Sequence, residues 1–336
     1  MALCALCGKP SGMHWADELA DLVLAGGAID REAARRILDA PDDEVPALLR
    51  ATARVRERHC GKRVKLCQLR NARSGLCPED CHYCSQSAVS EADIPRYRLD
   101  SVDELLAGSR KAQAAGARRF CMVTSGRGPS SNDIDRFCAA ARRIKAEQPD
   151  IELCVSAGLM DEPQARALKA AGIDFVNHNL NTSERHHAAI CTTHTYEDRI
   201  RTVQAVQRAG LSTCCGGILG MGESREDTID LAFALRELQV DSLPVNFLIP
   251  IAGTPFEDRH ELSPTDCLRA LCLFRLTNPA AEIRMAGGGE GNLGWFRPLA
   301  LHVVNSIFVD GYLTTPGQAF QAAQAMVSEM GFEVES

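Results

Sequence analysis

The stretch RFCMVTSGRGPSSNDIDRFCAAARRIKAEQPDIELCVS, residues 119–156, decides the fold. Arg119–Thr124 and Glu152–Ser156 are short, mostly apolar runs that read as strands, and Ile134–Glu147 between them reads as an amphipathic helix. The same alternation continues on both sides. Further strands are expected at Arg63–Leu69, Asp174–Asn177, Ser212–Leu219, Ser242–Leu248, Glu282–Ala286 and Asn305–Val309, with helices at Val102–Ala115, Glu162–Ala171 and Asp198–Ala209. Ala-Gly pairs beginning at Ala115, Ala171 and Ala209 recur before the strands, where glycine ends a helix. Eight βα units in roughly 270 residues is the size of a (β/α)8 barrel of the TIM type. A doubly wound open sheet is the alternative, but it usually has fewer units in that length. Ahead of the barrel, residues 13–60 read as short helices, with Gly26-Gly27 ending one and Asp30 capping Arg31–Leu38. The expected division is a helical N-terminal extension, 1–60, and a barrel, 61–336.

Composition narrows the class. The net charge of −7 and pI near 5.8 argue against a nucleic-acid partner, which would need a basic face. Fifteen cysteines, odd in number and irregular in spacing, do not make a disulfide framework. Asp17, Glu18 and Asp21 interrupt the first apolar segment, so no signal peptide is expected, and no apolar run approaches the roughly 18 residues of a membrane span. A reducing, cytoplasmic setting follows.

The loop after the first strand carries GLCPEDCHYCSQS, residues 75–87, with Cys77, Cys81 and Cys84 spaced C-x3-C-x2-C. Three thiolates this close suit three corners of a cubane 4Fe-4S cluster, and the absence of a fourth in the run leaves one iron open. The competing reading is a structural zinc knot, which normally pairs four protein ligands. The motif resembles that of the radical S-adenosylmethionine (SAM) enzymes, with Tyr83 in its aromatic slot. There the open iron chelates SAM, and reduction releases a 5′-deoxyadenosyl radical. In a barrel the loop would lie at the C-terminal ends of the strands, where active sites sit.

Cys121, Cys154 and Cys214 each fall in an expected strand, and period-two alternation can turn all three inward. A strand cysteine is more often a small buried hydrophobe. From residue 60 to 316, however, the chain resembles the biotin synthases, through GLCPEDCHYCSQS, RFCMVTSGRGP, VNHNLNTS, TTHTYEDRIRTV, CCGGILGMGE, VNFLIPIAGTP and NSIFVDGYLTTPG. The resemblance implies that these three cysteines hold an auxiliary iron–sulfur cluster, whose sulfide is inserted into dethiobiotin. Unactivated carbons must lose hydrogen there, so the cofactors carry the chemistry and no side chain is assigned a catalytic role.

The resemblance further assigns Asn177, Asn179, Asn181 and Asn246 to the substrate, whose ureido ring suits amide side chains that donate and accept together. It assigns Arg199 to the SAM carboxylate, and Tyr83, Gly216, Ile218 and Glu223 to its adenosyl part. A flavodoxin or ferredoxin reductant and a homodimer are implied as well. Without the resemblance, these asparagines could simply tie down loops and Arg199 could be solvated. One departure is expected. Aligning the family's arginine ligand of a 2Fe-2S auxiliary cluster on Arg284-Met-Ala-Gly-Gly-Gly-Glu290 puts it at Gly289 and leaves Arg284 out of place. That suggests a larger, 4Fe-type cluster, with Cys4, Cys7, Cys191, Cys215, Cys267 and Cys272 as surplus thiols. Two rival functions remain at this level: a related radical SAM rearrangement or maturation enzyme, and an iron–sulfur sensor without turnover.

Overall fold

The computed structural model describes residues 13–335, so Cys4 and Cys7 lie outside the described residues. Ten strands, all parallel where they pair, form one sheet: β1 (Arg63–Arg73), β2 (Arg119–Thr124), β3 (Glu152–Ser156), β4 (Phe175–Asn177), β5 (Ser212–Cys214), β6 (Gly217–Leu219), β7 (Ser242–Phe247), β8 (Glu282–Met285), β9 (Ser306–Val309) and β10 (Glu333–Val334). β1 pairs with both β2 and β9, which closes the barrel. The expected (β/α)8 architecture is the observed one.

Two differences have plain causes. The expected strand Ser212–Leu219 is split into β5 and β6, both paired to β7, with Cys215-Gly216 between them. A Cβ at Gly216 would fall 1.9 Å from the Pro244 carbonyl oxygen, so the chain runs too close to its neighbour there to continue a regular stave. β10, two residues long, escaped the sequence pattern and extends the sheet beside the start of β1.

The outer helices are α4 (Val102–Ala114), α5 (Ser131–Glu147), α6 (Glu162–Ala170), α7 (Glu184–Ile190), α8 (Tyr196–Arg208), α9 (Arg225–Glu237) and α10 (Pro264–Thr277). All but α7 open with a capping box, such as Ser130 with Asp133 or Thr195 with Asp198, in which side chains satisfy the free N–H groups of the first turn. Ahead of them α1 (Trp15–Leu24), α2 (Arg31–Leu38) and α3 (Val45–Cys60) pack on the barrel, chiefly on α10, through Ala34, Ile37, Leu48 and Val55. The expected cap is present, with Asp30 Oδ1 accepting from Ala33 N at 2.8 Å, and Gly26 ends α1 at φ +84°. No helix among the described residues is long and apolar enough to cross a membrane.

Apolar side chains fill the space between helices and barrel, but the barrel interior is different. Its buried cluster consists of Cys121, Cys154 and Cys214, with Leu69, Val123, Phe175 and Phe308 around them.

Candidate active site

Parallel register does much of the assembly. Cys121 lies opposite Cys154 across β2 and β3, and Asn177 lies opposite Cys214 across β4 and β5. All three cysteines are at most 3 % exposed. They form the floor of a cavity of about 380 Å³ whose upper wall carries Cys77, Cys81, Cys84 and Tyr83. Asn177, Asn179, Asn181, Asn246, Arg199 and Ile218 line the space between. The two sulfur sets that the sequence placed in separate motifs therefore face one chamber.

Two guanidiniums stand behind the floor, balanced by carboxylates. Arg119 and Arg284 are both buried, and the Arg284 Nη1 lies 3.6 Å from Cys214 Sγ. Arg284 also donates to Ser306 Oγ at 3.0 Å and Ser242 Oγ at 3.2 Å, and pairs with Glu282. Glu282 in turn takes both Nη atoms of Arg119 at 2.9 Å each. A hydrogen bond from Cys154, with the two guanidiniums behind it, pushes the Cys214 thiol down to about 5, and the same causes lower Cys121. Cys154, bonded to both neighbours, keeps its proton. Cys214 is thus disposed to be a thiolate, the form that binds iron, and Cys121 is shifted in the same direction.

This arrangement corrects the expectation for the arginine stretch. A side chain beginning at Gly289 would set out toward Met285, 3.0 Å from its Cβ, and toward Arg297, and Gly289 does not border the chamber. Arg284, on β8 with β7 between it and β5, reaches the Cys214 sulfur. Extended strand geometry turns it inward, which an alignment of the glycine-rich turn after β8 could not reveal.

The upper loop is fixed by its own acidic residues. Asp80 accepts from Thr192 N at 2.9 Å and Thr193 N at 3.2 Å. Glu79 accepts from Thr193 Oγ1 at 2.7 Å and bonds His194. These hydrogen bonds hold Asp80 and Glu79 below the usual carboxylate range against the cost of burial. Gly75 N donates to Gln86 Oε1 at 3.0 Å, closing the loop on itself. The Pro-Glu-Asp insert between Cys77 and Cys81 carried this bracing role in the sequence, although it went unread.

Among the amides, Asn177 Nδ2 donates to Asn179 Oδ1 at 3.0 Å and approaches Cys214 Sγ at 3.3 Å, as two residues on one face of a strand end should. Asn181 sits at φ +70°, with its amide oxygen accepting from the Tyr83 hydroxyl at 2.5 Å and from Arg199 at 3.2 and 3.3 Å. Burial, with Cys81 close by, holds the Tyr83 phenol well above its ordinary value, so it stays a donor. Arg199 donates to the Asn179 carbonyl at 2.7 Å, while its buried Nε has no partner among the described residues. A buried guanidinium with an unmet donor at a chamber wall fits an anionic ligand.

Other assigned residues behave differently. Asn246 gives Nδ2 to the Gly217 carbonyl at 3.0 Å and takes Gly287 N at 2.9 Å, so its amide is already spent on backbone. Glu223 takes Gly220 N and Met221 N at 2.7 Å each and does not border the chamber. Gly216 does not border it either, although its N–H donates to Asn179 Oδ1 at 3.1 Å and so helps orient that amide. Phe308, Tyr312 and Thr314 complete the opposite wall and were not singled out in the sequence. Of the surplus thiols, Cys215, Cys267 and Cys272 are buried away from the chamber, each pushed up to about 12 by burial, as inert core cysteines are.

Comparison with known proteins agrees with this chamber. Residues 73–235 match the Radical SAM superfamily and residues 244–333 the Biotin and Thiamin Synthesis associated domain. The biotin synthase of Rhodopirellula baltica is 49% identical over 97% of this chain and 90% of its own length. That of Bacillus subtilis strain 168 is 48% identical over 95% of each. In three dimensions, methylornithine synthase superposes with a TM-score of 0.83 at 20% identity, covering 95% of this chain and 97% of the other. The FeFe-hydrogenase maturase HydG of Carboxydothermus hydrogenoformans gives 0.79 at 16% identity, over 95% and 79%.

Proposed function

Because the chain belongs to the biotin synthase family of the radical SAM superfamily, we propose that its chamber works as two facing cofactor sites with the substrate held between them. The protein is a radical SAM sulfurtransferase that uses SAM and dethiobiotin as substrates, together with a 4Fe-4S cluster and an auxiliary iron–sulfur cluster. When bound, these groups supply hydrogen-atom abstraction from unactivated carbon and the sulfur that replaces the hydrogen.

In this reading Cys77, Cys81 and Cys84 hold the first cluster. Cys121, Cys154, Cys214 and Arg284 hold the auxiliary one. Four protein donors at the floor make a 2Fe-2S cluster sufficient, and the reason for invoking a larger one disappears with the role of Gly289. Arg199 takes the SAM carboxylate through the donor it leaves unmet, and the Tyr83 hydroxyl, fixed on Asn181, keeps its ring at the chamber wall. Asn177 and Asn179 orient the ureido ring of dethiobiotin. Asn181 acts through Tyr83 and Arg199, and Asn246 acts as a strut that shapes the wall. Gly216, Ile218 and Glu223 set the course of the backbone along the adenosyl side. The apolar wall of Val123, Phe308 and Leu248 excludes water from the reacting carbons.

The division proposed is an N-terminal extension, 1–60, and a barrel, 61–336, with helices α1–α3 of the extension packed on the barrel. A flavodoxin- or ferredoxin-type reductant, a homodimer and a cytoplasmic setting complete the proposal.

The observation that carries this reading is the convergence of two separate cysteine triads, with Arg284, on one chamber. The test is iron content and Mössbauer spectra of the Cys77/Cys81/Cys84→Ala protein after anaerobic reconstitution, with biotin formation measured on single variants. About two irons per chain are expected in the triple variant, and about four would overturn the 2Fe-2S assignment. Cys81→Ala should abolish SAM cleavage. Cys154→Ala should retain some cleavage and lose biotin, and normal biotin from it would remove the sulfur-donor role.

A further inference from the structure

Behind the first-cluster loop, Cys191 and His194, which the proposed chemistry does not use, converge on Cys81 to make a set of metal donors. Cys191, directly after α7, has its Sγ 3.7 Å from Cys81 Sγ, and 3.3 and 3.7 Å from the Nδ1 and Nε2 of His194. All three residues are buried, and one ligand atom from each lies within 4.8 Å of the others. The geometry matches a mononuclear site. A tetrahedral ion with metal–sulfur bonds of about 2.3 Å holds its two sulfurs about 3.8 Å apart, close to the observed 3.7 Å.

The surroundings match as well. The Glu79 carboxylate engages His194 at Nδ1, so Nε2, 3.7 Å from Cys191 Sγ, is the ring nitrogen left for an ion, and such a carboxylate partner fixes tautomer and ring angle in metal sites. Asp80 Oδ1 stands 3.1 Å from Cys191 Sγ, but its lone pairs are committed to Thr192 N and Thr193 N. Its part is to hold the loop, leaving the fourth position open to water.

We propose that Cys81, Cys191 and His194 bind one divalent borderline ion, Zn2+ or Fe2+, when the first cluster is absent, and that this ion and the cluster exclude each other because both need Cys81. The exclusion rests on the cluster assignment above; the ion site itself does not.

The test is an anaerobic Co2+ titration of the full chain freed of iron, read by sulfur-to-cobalt charge-transfer absorption. In a Cys77→Ala/Cys84→Ala background, which keeps the three donors, adding Cys191→Ser should remove about one bound Co2+ per chain. Adding His194→Ala should weaken that same equivalent by about tenfold or more. Serine is close to isosteric, so the fold is kept, and far-UV circular dichroism checks this. Unchanged stoichiometry in the Cys191→Ser chain would overturn the site. In a second arm, wild-type chain preloaded with Zn2+ should reconstitute its first cluster poorly, whereas Cys191→Ser should be indifferent to zinc; equal inhibition of both would overturn the exclusion. Failure of zinc-free wild type to form a SAM-cleaving cluster would instead count against the cluster assignment.

Discussion

Glu282→Gln is the most informative single change at the chamber floor. Glu282 is the one carboxylate ion-paired with Arg284 among the described residues, and the Arg284 side chain is 1 % exposed. Arg119 would keep Glu152 at 2.7 Å, and Lys65 would keep the same carboxylate at 2.7 Å. Arg284 would keep the Ser306 and Ser242 hydroxyls, the Cys214 sulfur and the face of the Phe308 ring, none of which replaces the Glu282 ion pair. Removing one partner of a buried ion pair costs about 3–5 kcal/mol, because the other charge stays buried without compensation. Glutamine retains one acceptor oxygen, so the lower end, about 3 kcal/mol, is expected, or roughly a hundredfold in the folding equilibrium.

The pH dependence follows with a definite sign. Arg119, Arg284 and Lys65 hold the Glu282 carboxyl well below its usual range despite burial. A depressed folded-state value means that its stabilisation is fully present above the unfolded value of about 4.3 and is lost as pH falls below it toward the folded value. The variant should therefore lose the most stability near neutrality and converge on wild type in acid. Urea unfolding of the iron-free chain, in which Arg284 has no cluster to bind, followed by far-UV circular dichroism at several pH values under anaerobic reducing conditions, measures both. Adding Arg284→Met should recover at least half of the loss, because it removes the stranded charge. A loss under about 1 kcal/mol, or no recovery in the double variant, would refute the charge-balance reasoning.

Arg199→Gln removes a charged donor from the SAM side. A charge-assisted bond of about 1.5–3 kcal/mol corresponds to a rise of roughly 10- to 100-fold in the KM for SAM, measured by methionine release. Gly216→Ala places a Cβ 1.9 Å from a backbone oxygen that cannot swing away; a loss of about 3 kcal/mol or more in urea unfolding is expected. Asn246→Ala cuts the ties to the Gly217 carbonyl and Gly287 N. It should cost about 2 kcal/mol of stability at roughly 1 kcal/mol per bond, and an undiminished stability with lost dethiobiotin binding would restore a direct substrate role.

The sequence by itself determined the barrel. Local alternation, helix caps and Ala-Gly turns are readable because each is set by residues a few positions apart. Ser130 with Asp133, for instance, is both a capping signal in the chain and a capping box in the fold. It also placed the first cysteine triad on one loop at the chamber, since three residues within eight positions stay together whatever the tertiary structure does. The split of Ser212–Leu219 was not legible, because its cause, the Pro244 carbonyl, belongs to another strand. Which residue of the arginine stretch lies beside the second triad was not legible either. Whether Arg284 or Gly289 faces Cys214 depends on strand register and inward pitch across some 70 intervening residues, and only the closed barrel decides it. Asn246 and Asn177 look alike in the chain, yet one has its amide spent on backbone and the other lies against a sulfur. Local bonding writes itself into sequence spacing, whereas the direction of a buried side chain is set by whatever surrounds it after closure.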